Sequence, residues 1–190
     1  TTDTLWNYEV GVRTSWLDDR LTANAVAYYI DWSDIQLRAF DAATLSSRIQ
    51  NVAEAEVFGL ETEIRYQATE NLRLSANYAY TDASLAEDFL SENLVGPATV
   101  LASEGDRLPG SSEHAFSLFA DWQMSLTSEL DLEANLNYRY QSSRSSLLGN
   151  TTGILAGFPE VPSTEVVNLT AGVSHDNGVT VSLFANNLLD

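Results

Sequence analysis

The chain has 190 residues and a formal net charge of −18, from 27 acidic residues against nine basic ones, all nine of them Arg. It contains no Cys and no Lys, which excludes a disulfide framework, a Cys-zinc site, a thiol nucleophile, a P-loop lysine and Schiff-base chemistry. The charge also argues against nucleic acid as a partner, because phosphate binding needs clustered cations. At 44% hydrophobic residues the chain is too apolar for disorder, and no apolar run is long enough for a membrane-spanning helix. The opening Thr1-Thr2-Asp3-Thr4-Leu5-Trp6 has neither the basic nor the apolar region of a signal peptide.

Alternation of period two recurs eight times and predicts strands at 6–16, 20–32, 56–67, 72–82, 114–126, 130–141, 165–175 and 179–187. Strands in soluble domains average about 5–6 residues, whereas a tilted membrane-spanning strand needs about 9–11. In seven of the eight, one face carries a run of residues with no charge among them. It runs Trp6, Tyr8, Val10, Val12, Thr14, Trp16 in the first strand. In the fourth it runs Leu72, Leu74, Ala76, Tyr78, Tyr80, and in the sixth Leu130, Leu132, Ala134, Leu136, Tyr138, Tyr140. The opposite faces hold Glu9, Arg13, Glu61, Glu63, Arg65, Arg73, Asp121, Asp131, Glu133 and Arg139. The second strand is ambiguous: Leu21, Ala23, Ala25, Ala27 and Tyr29 share one face, and Val26, Tyr28, Ile30 and Trp32 share the other.

Connections alternate between short polar turns (17–20, 68–71, 127–129, 175–178) and long loops (33–55, 83–113, 142–164). Turns at one end and loops at the other is the layout of an outer-membrane barrel, with turns periplasmic and loops extracellular. Aromatic residues on the uncharged face fall at two levels. Trp6, Tyr8, Tyr29, Phe58, Tyr78, Tyr80, Tyr138 and Tyr140 lie toward the loops, and Trp16, Tyr66 and Trp122 toward the turns, as two membrane interfaces require. The fold expected is therefore all-β: an antiparallel up-and-down transmembrane barrel. The alternative is a soluble β-sandwich whose core is the uncharged face. Because the chain starts and stops almost within strands, an internal slice of a larger barrel is expected over a self-contained eight-stranded structural or adhesion barrel. Small inner-face residues such as Ser75, Asn77, Ala79, Ser117 and Gly172 would fill a narrow lumen poorly.

Several stretches resemble the C-terminal half of the barrel of TonB-dependent outer-membrane receptors. Asn7-Tyr8-Glu9-Val10-Gly11-Val12-Arg13 with Trp16-Leu17-Asp18-Asp19-Arg20-Leu21 resembles the strand–turn–strand that opens that region. Asp31-Trp32-Ser33-Asp34-Ile35-Gln36 is similar to a strand end entering the next loop. Asn51 followed by Gly59-Leu60-Glu61-Thr62-Glu63 resembles the strand after it. Gly105-Asp106-Arg107-Leu108-Pro109 resembles the element before the next descending strand, although Ser111 stands where a second Pro often occurs. Leu183-Phe184-Ala185-Asn186-Asn187-Leu188-Leu189-Asp190 is similar to the ending of the penultimate strand.

The resemblance implies a barrel of about 22 strands, filled by an N-terminal plug, in the outer membrane of a Gram-negative bacterium. This chain would supply part of the wall, with the plug, TonB box and final strand absent. It implies import of a scarce nutrient, with ferric siderophore complexes leading and cobalamin or oligosaccharide as alternatives. The implied partners are outer-membrane lipid, the nutrient, and the TonB–ExbB–ExbD complex reached through the missing N-terminal part. The inner-face charges Glu9, Arg13, Glu61, Glu63, Arg65, Arg73 and Arg139 then become candidates for ligand or plug contact, or a solvated, mutually paired surface.

No catalytic residue, cofactor or metal is expected. The carboxylates Glu61 and Glu63 would face a wet lumen, a poor setting for acid–base catalysis. His114 heads a strand on the uncharged face and His175 sits at a turn, so no Ser–His–Asp set converges. The 83–113 loop carries Glu87, Asp88, Glu92, Glu104 and Asp106 without EF-hand spacing, which fits a hydrated loop better than a calcium site. Phe89, Leu90, Leu94 and Val95 in that loop are expected to pack over the barrel mouth or touch a ligand. The Asn150 and Asn168 sequons read as chance, and Gly153, Gly157, Pro159 and Pro162 mark a turn-rich loop.

Overall fold

A computed structural model describes residues 2–41, 46–51, 54–90, 100–148 and 160–189. Eight long strands form one antiparallel sheet: β1 (Thr4–Trp16), β2 (Leu21–Ser33), β5 (Ala55–Gln67), β6 (Leu72–Leu85), β9 (His114–Ser125), β10 (Leu130–Gln141), β11 (Thr164–His175) and β12 (Val179–Ala185). They are hydrogen-bonded in that order, so each strand pairs with its neighbours in sequence. Two small hairpins rise from the loops: β3 (Gln36–Asp41) with β4 (Ser46–Asn51), and β7 (Phe89–Leu90) with β8 (Val100–Ala102).

The short turns close through side chains that satisfy the backbone. Thr127 Oγ1 accepts from the amides of Glu129 and Leu130, at 3.2 and 3.1 Å, and Asn177 Oδ1 accepts from that of Val179 at 3.1 Å. In the β1–β2 turn, Leu17, Asp18 and Asp19 all take positive φ, a conformation Asp tolerates better than a bulky apolar residue.

Register resolves the second strand. Tyr29, Ala27, Ala25, Ala23 and Leu21 stand opposite Tyr8, Val10, Val12, Thr14 and Trp16, so they continue the uncharged face. Val26, Tyr28, Ile30 and Trp32 belong to the charged side, opposite Gly11, Glu9, Asn7 and Leu5. The uncharged face continues without a slip across the sheet, through pairs such as Ile64↔Ala76, Ala76↔Leu118, Leu118↔Tyr138, Leu136↔Leu169 and Ala171↔Leu183. It is not covered: Val10 is 73% exposed and Leu183 79%.

A sandwich needs a second sheet over that face, and among the described residues there is none, so the sandwich reading is overturned. The closed eight-stranded barrel fails too, since β1 and β12 stand at opposite ends of an open sheet. The sheet is nevertheless strongly curved. Residues from β1 round to β11 line one cavity on the charged face, which is therefore concave.

The buried core lies at the loop end of this concave face. Ala55, Val57, Ala83 and Leu85 from the strands meet Ile35, Phe89, Ala102, Leu108 and Leu148 from the loops, with Tyr28, Ile30, Trp32 and Leu101 packed around them. The segment 105–108 seals the free edge of β6 above the point where β9 begins. Leu85 N donates to Asp106 O, Gly105 N to Leu85 O and Leu108 N to Ala83 O, each at 2.9 Å. That pairing carries β6 to Leu85, beyond the boundary at 82 that alternation predicts. Gly105 supplies the positive φ of 83° that the entry to this segment requires.

Candidate functional site

On the concave face the register sets side chains in rungs that run across the strands. One rung reads Arg13, Asn24, Glu63, Asn77, Ser117, Arg139 and Val166, from β1 to β11. Asn24 Nδ2 donates to Glu63 Oε2 at 2.9 Å, and Asn77 Nδ2 donates to Ser117 Oγ at 3.2 Å. The rung above it, toward the loops, reads Gly11, Val26, Glu61, Ala79, Ala115, Gln141 and Thr164. Together they frame a cavity of about 740 Å³, with Phe119 at its turn side. Arg13 and Arg139 flank it and Glu61 and Glu63 stand between them, two charges of each sign in a polar trough.

The seven charged candidates do not form one site. Arg13, Glu61, Glu63 and Arg139 share this cavity. Arg65 and Arg73 line a second one nearer the turns, and Glu9, opposite Tyr28 near the loop end, lines neither. Arg65 pairs with Glu63 at 2.5 Å on the same strand, so it joins the two levels. Among the described residues, neither Arg13 nor Arg139 makes an ion pair. Asn24, Gln141 and Val166 are part of the cavity and were not singled out from sequence. Asn24 could be found only once the frame of β2 was known.

On the uncharged face the aromatic residues fall at two levels along the strands. Tyr8, Tyr29 and Phe58 are cross-strand neighbours, Phe58 meets the Tyr80 ring edge-on at 6.3 Å, and Phe116 meets Tyr138 at 6.0 Å. Tyr78 and Tyr140 stand at the same loop-end level as Phe116, their partner in both registers. Trp6 lies opposite Asp31, next to Tyr8. Toward the turns, Trp16 aligns with Leu21 and Tyr66, and Trp122 with Leu72.

His114 lies on this uncharged face, opposite Tyr80 and 2.9 Å from the Tyr78 hydroxyl. His175 is at the opposite end, 3.7 Å from Glu129.

Three of the loop carboxylates fasten backbone amides. Buried Asp106 accepts from Ser103 N, Asp88 from Glu104 N and Glu87 from Glu54 N. Glu92, Leu94 and Val95 lie outside the described residues, as do Asn150, Gly153, Gly157 and Pro159. Phe89 is buried in the loop-end core, while Leu90 is exposed. Asn168 sits inside β11 and its Oδ1 accepts from Asn187 N.

A family profile described as TonB dependent receptor-like, beta-barrel matches residues 3–188. The chain is 28% identical over 183 residues to the metal-pseudopaline receptor CntO of Pseudomonas aeruginosa, covering 96% of this chain and 23% of that protein. Its fold is similar to that of the siderophore receptor PiuA from Acinetobacter baumannii, with TM-score 0.69 at 22% identity over 98% of this chain and 24% of that one. It is also similar to that of the ferric yersiniabactin uptake receptor FyuA from Yersinia pestis, with TM-score 0.71 at 16% identity over 99% and 25%. The chain thus spans about a quarter of the length of these relatives.

Proposed function

Since the chain belongs to the TonB-dependent receptor-like β-barrel family, we propose that it forms part of the wall of an outer-membrane receptor for a scarce nutrient. Uptake through that receptor is driven by the TonB complex, and its most fitting cargo is a ferric siderophore. The observation that carries this reading is the uncovered face, uncharged below its loop end, maintained in register across eight strands with aromatic residues at two levels. Such a face is costly in water and favourable against lipid. Loops face outward and turns face the periplasm. The edges at β1 and β12 pair with further strands of the receptor, because lipid cannot satisfy an open edge.

Supporting this cargo are the relatives' names, which state metal-pseudopaline, ferric yersiniabactin and siderophore. In this chain the supporting feature is the polar trough. Arg13 and Arg139 offer guanidinium groups to an anionic chelate or to a carboxylate of the plug, while Glu61 and Glu63 keep the wall from being uniformly basic. Nothing in this arrangement performs covalent chemistry, and the role is binding and passage. The TonB–ExbB–ExbD complex acts on the plug rather than on this part of the wall.

The test is deletion of the receptor's gene, followed by radio-iron uptake from a panel of ferric siderophores under iron limitation. Uptake from one siderophore is expected to be lost, together with a heat-shifted band in outer-membrane fractions. Unchanged uptake from the whole panel would remove the cargo. Absence of the band from outer membranes would remove the receptor reading.

A further inference from the structure

We propose that the turn end of the concave face carries a second, anion-binding pocket built on Arg20, Arg65 and Arg73. The proposal rests on the reading above that this face lines the receptor's lumen. The three side chains come from the β1–β2 turn, β5 and β6, and they line one cavity of about 540 Å³ with Asp19, Gln67 and Asp121. Three of the nine cationic residues of a chain with net charge −18 meet there.

Gln67 holds two of them. Its carbonyl oxygen accepts from Arg20 Nε and an Arg20 terminal nitrogen at 3.1 and 2.9 Å, and its Oε1 accepts from Arg73 Nε at 3.2 Å. Ala68 O takes a further bond from Arg20 at 2.8 Å. These acceptors are uncharged, so they fix the guanidinium groups without neutralising them. Arg65 spends one nitrogen on Glu63, and its side chain remains 63% exposed.

Two carboxylates share the pocket. That of Asp19 is taken up by the Ser15 hydroxyl. Asp121 stands opposite Arg73 in the register but makes no ion pair with it among the described residues. With Glu63 on Arg65, three carboxylates match three cations, so what singles the pocket out is the guanidinium donors left over within an acidic wall. A planar guanidinium presents five N–H donors in a fork matched to carboxylate or phosphate, and the bonds above use only part of that supply. The ligand class is therefore a carboxylate- or phosphate-bearing anion. It is presented either by a solute in the lumen or by an acidic side chain of the polypeptide that fills it.

The experiment uses the full receptor in detergent, as wild type and as the R65Q/R73Q double variant. Inorganic phosphate is compared with chloride at matched ionic strength, and melting is followed across a salt series. A saturable phosphate-dependent rise in Tm, with affinity weakened about tenfold or more in the variant, supports a solute site. No phosphate response, but a wild-type stability advantage over the variant that disappears at high salt, supports occupation by the receptor's own carboxylate. Equal responses to both salts, with identical salt dependence in wild type and variant, would overturn the pocket. Heat-modifiable mobility is read on the same samples. A variant that keeps the heat shift while the pocket fails leaves the barrel intact, whereas a wild type without it overturns the barrel reading and with it the premise of the pocket.

Discussion

Asn24 and Tyr28 sit on the same strand and the same face, four residues apart, in opposite environments. Asn24 belongs to a rung of amides, hydroxyls and charges that borders a cavity of about 740 Å³. Tyr28, with Ile30 and Trp32 above it, packs against a core that the loops bring down onto the strands. The two regions differ in what covers them. In the middle of the concave face, Asn24 and Asn77 bond across strands beside the cavity. At the loop end, Phe89, Leu108 and Leu148 exclude water and leave Leu85 1% exposed. Facing inward therefore does not by itself make a residue a contact site. This part of the concave face is closed by the chain's own loop, and the polar cavity opens below it at the level of Glu61 and Gln141.

If the upper region is a packed core and the middle is not, truncation should be costly only above. Leu85→Ala is expected to cost about 2–5 kcal/mol, released as opening of the loop it anchors. Limited proteolysis of the receptor should then cut within 86–107 at protease levels that spare the wild type, while the heat-shifted band persists. Cutting no faster than in wild type would mean the loop is held elsewhere.

The boundary between the regions is tested at Gly59. A Cβ there would stand 2.0 Å from Tyr28 Cζ, so the ring must leave its place against the core. Gly59→Ala is expected to destabilise by about 1–3 kcal/mol, read as a lower melting temperature. Gly11→Ala, whose Cβ meets Val26 Cγ2 at 3.1 Å, should cost less because a methyl can give way. Equal costs would deny that the Tyr28 ring matters.

Much of this was legible in the sequence, with losses in definite places. Period two identified all eight long strands, and the faces of seven, because each of those faces meets one kind of surroundings along its length. It failed for β2, whose inner face turns apolar above Val26. Alternation reports what a face touches, and here both faces touch apolar surroundings: membrane-type on one side, a loop core on the other. The hairpin of β3 and β4 is invisible to alternation because Gln36–Asp41 and Ser46–Asn51 mix charged and apolar residues with no clean period. The strands β7 and β8, at two and three residues, are shorter than any period can register. The Gly105–Pro109 stretch was recognised by its pattern, but its work as the cap on β6's edge is a long-range pairing that spacing cannot reveal. For the charged candidates, sequence gave the face but not the height. Hence seven residues taken together separate into a middle cavity, a turn-end cavity and Glu9, which lines neither.

The smallest expected effect bears most directly on the middle region. Glu63 accepts from Asn24 and pairs with an Arg65 that is largely exposed. An exposed pair contributes about 0–1 kcal/mol, and Gln at this position keeps an oxygen for Asn24, so Glu63→Gln should leave the melting temperature nearly unchanged. Its electrostatic effect is different in kind. The cavity passes from two cations and two carboxylates to two cations and one. One charge removed from roughly 8 Å away in a water-like medium changes the energy of a singly charged ligand by about 0.5 kcal/mol, which is about twofold in affinity. An anionic ferric siderophore should therefore bind the variant about twofold more tightly, and the gain should shrink as salt screens it. Leu85→Ala should show the reverse pattern, a large change in loop stability with little salt-dependent change in affinity. If Glu63→Gln alters neither affinity nor melting, the middle rung is as remote from the ligand as the sealed core above it, and the ligand's path must run along strands beyond this part of the wall.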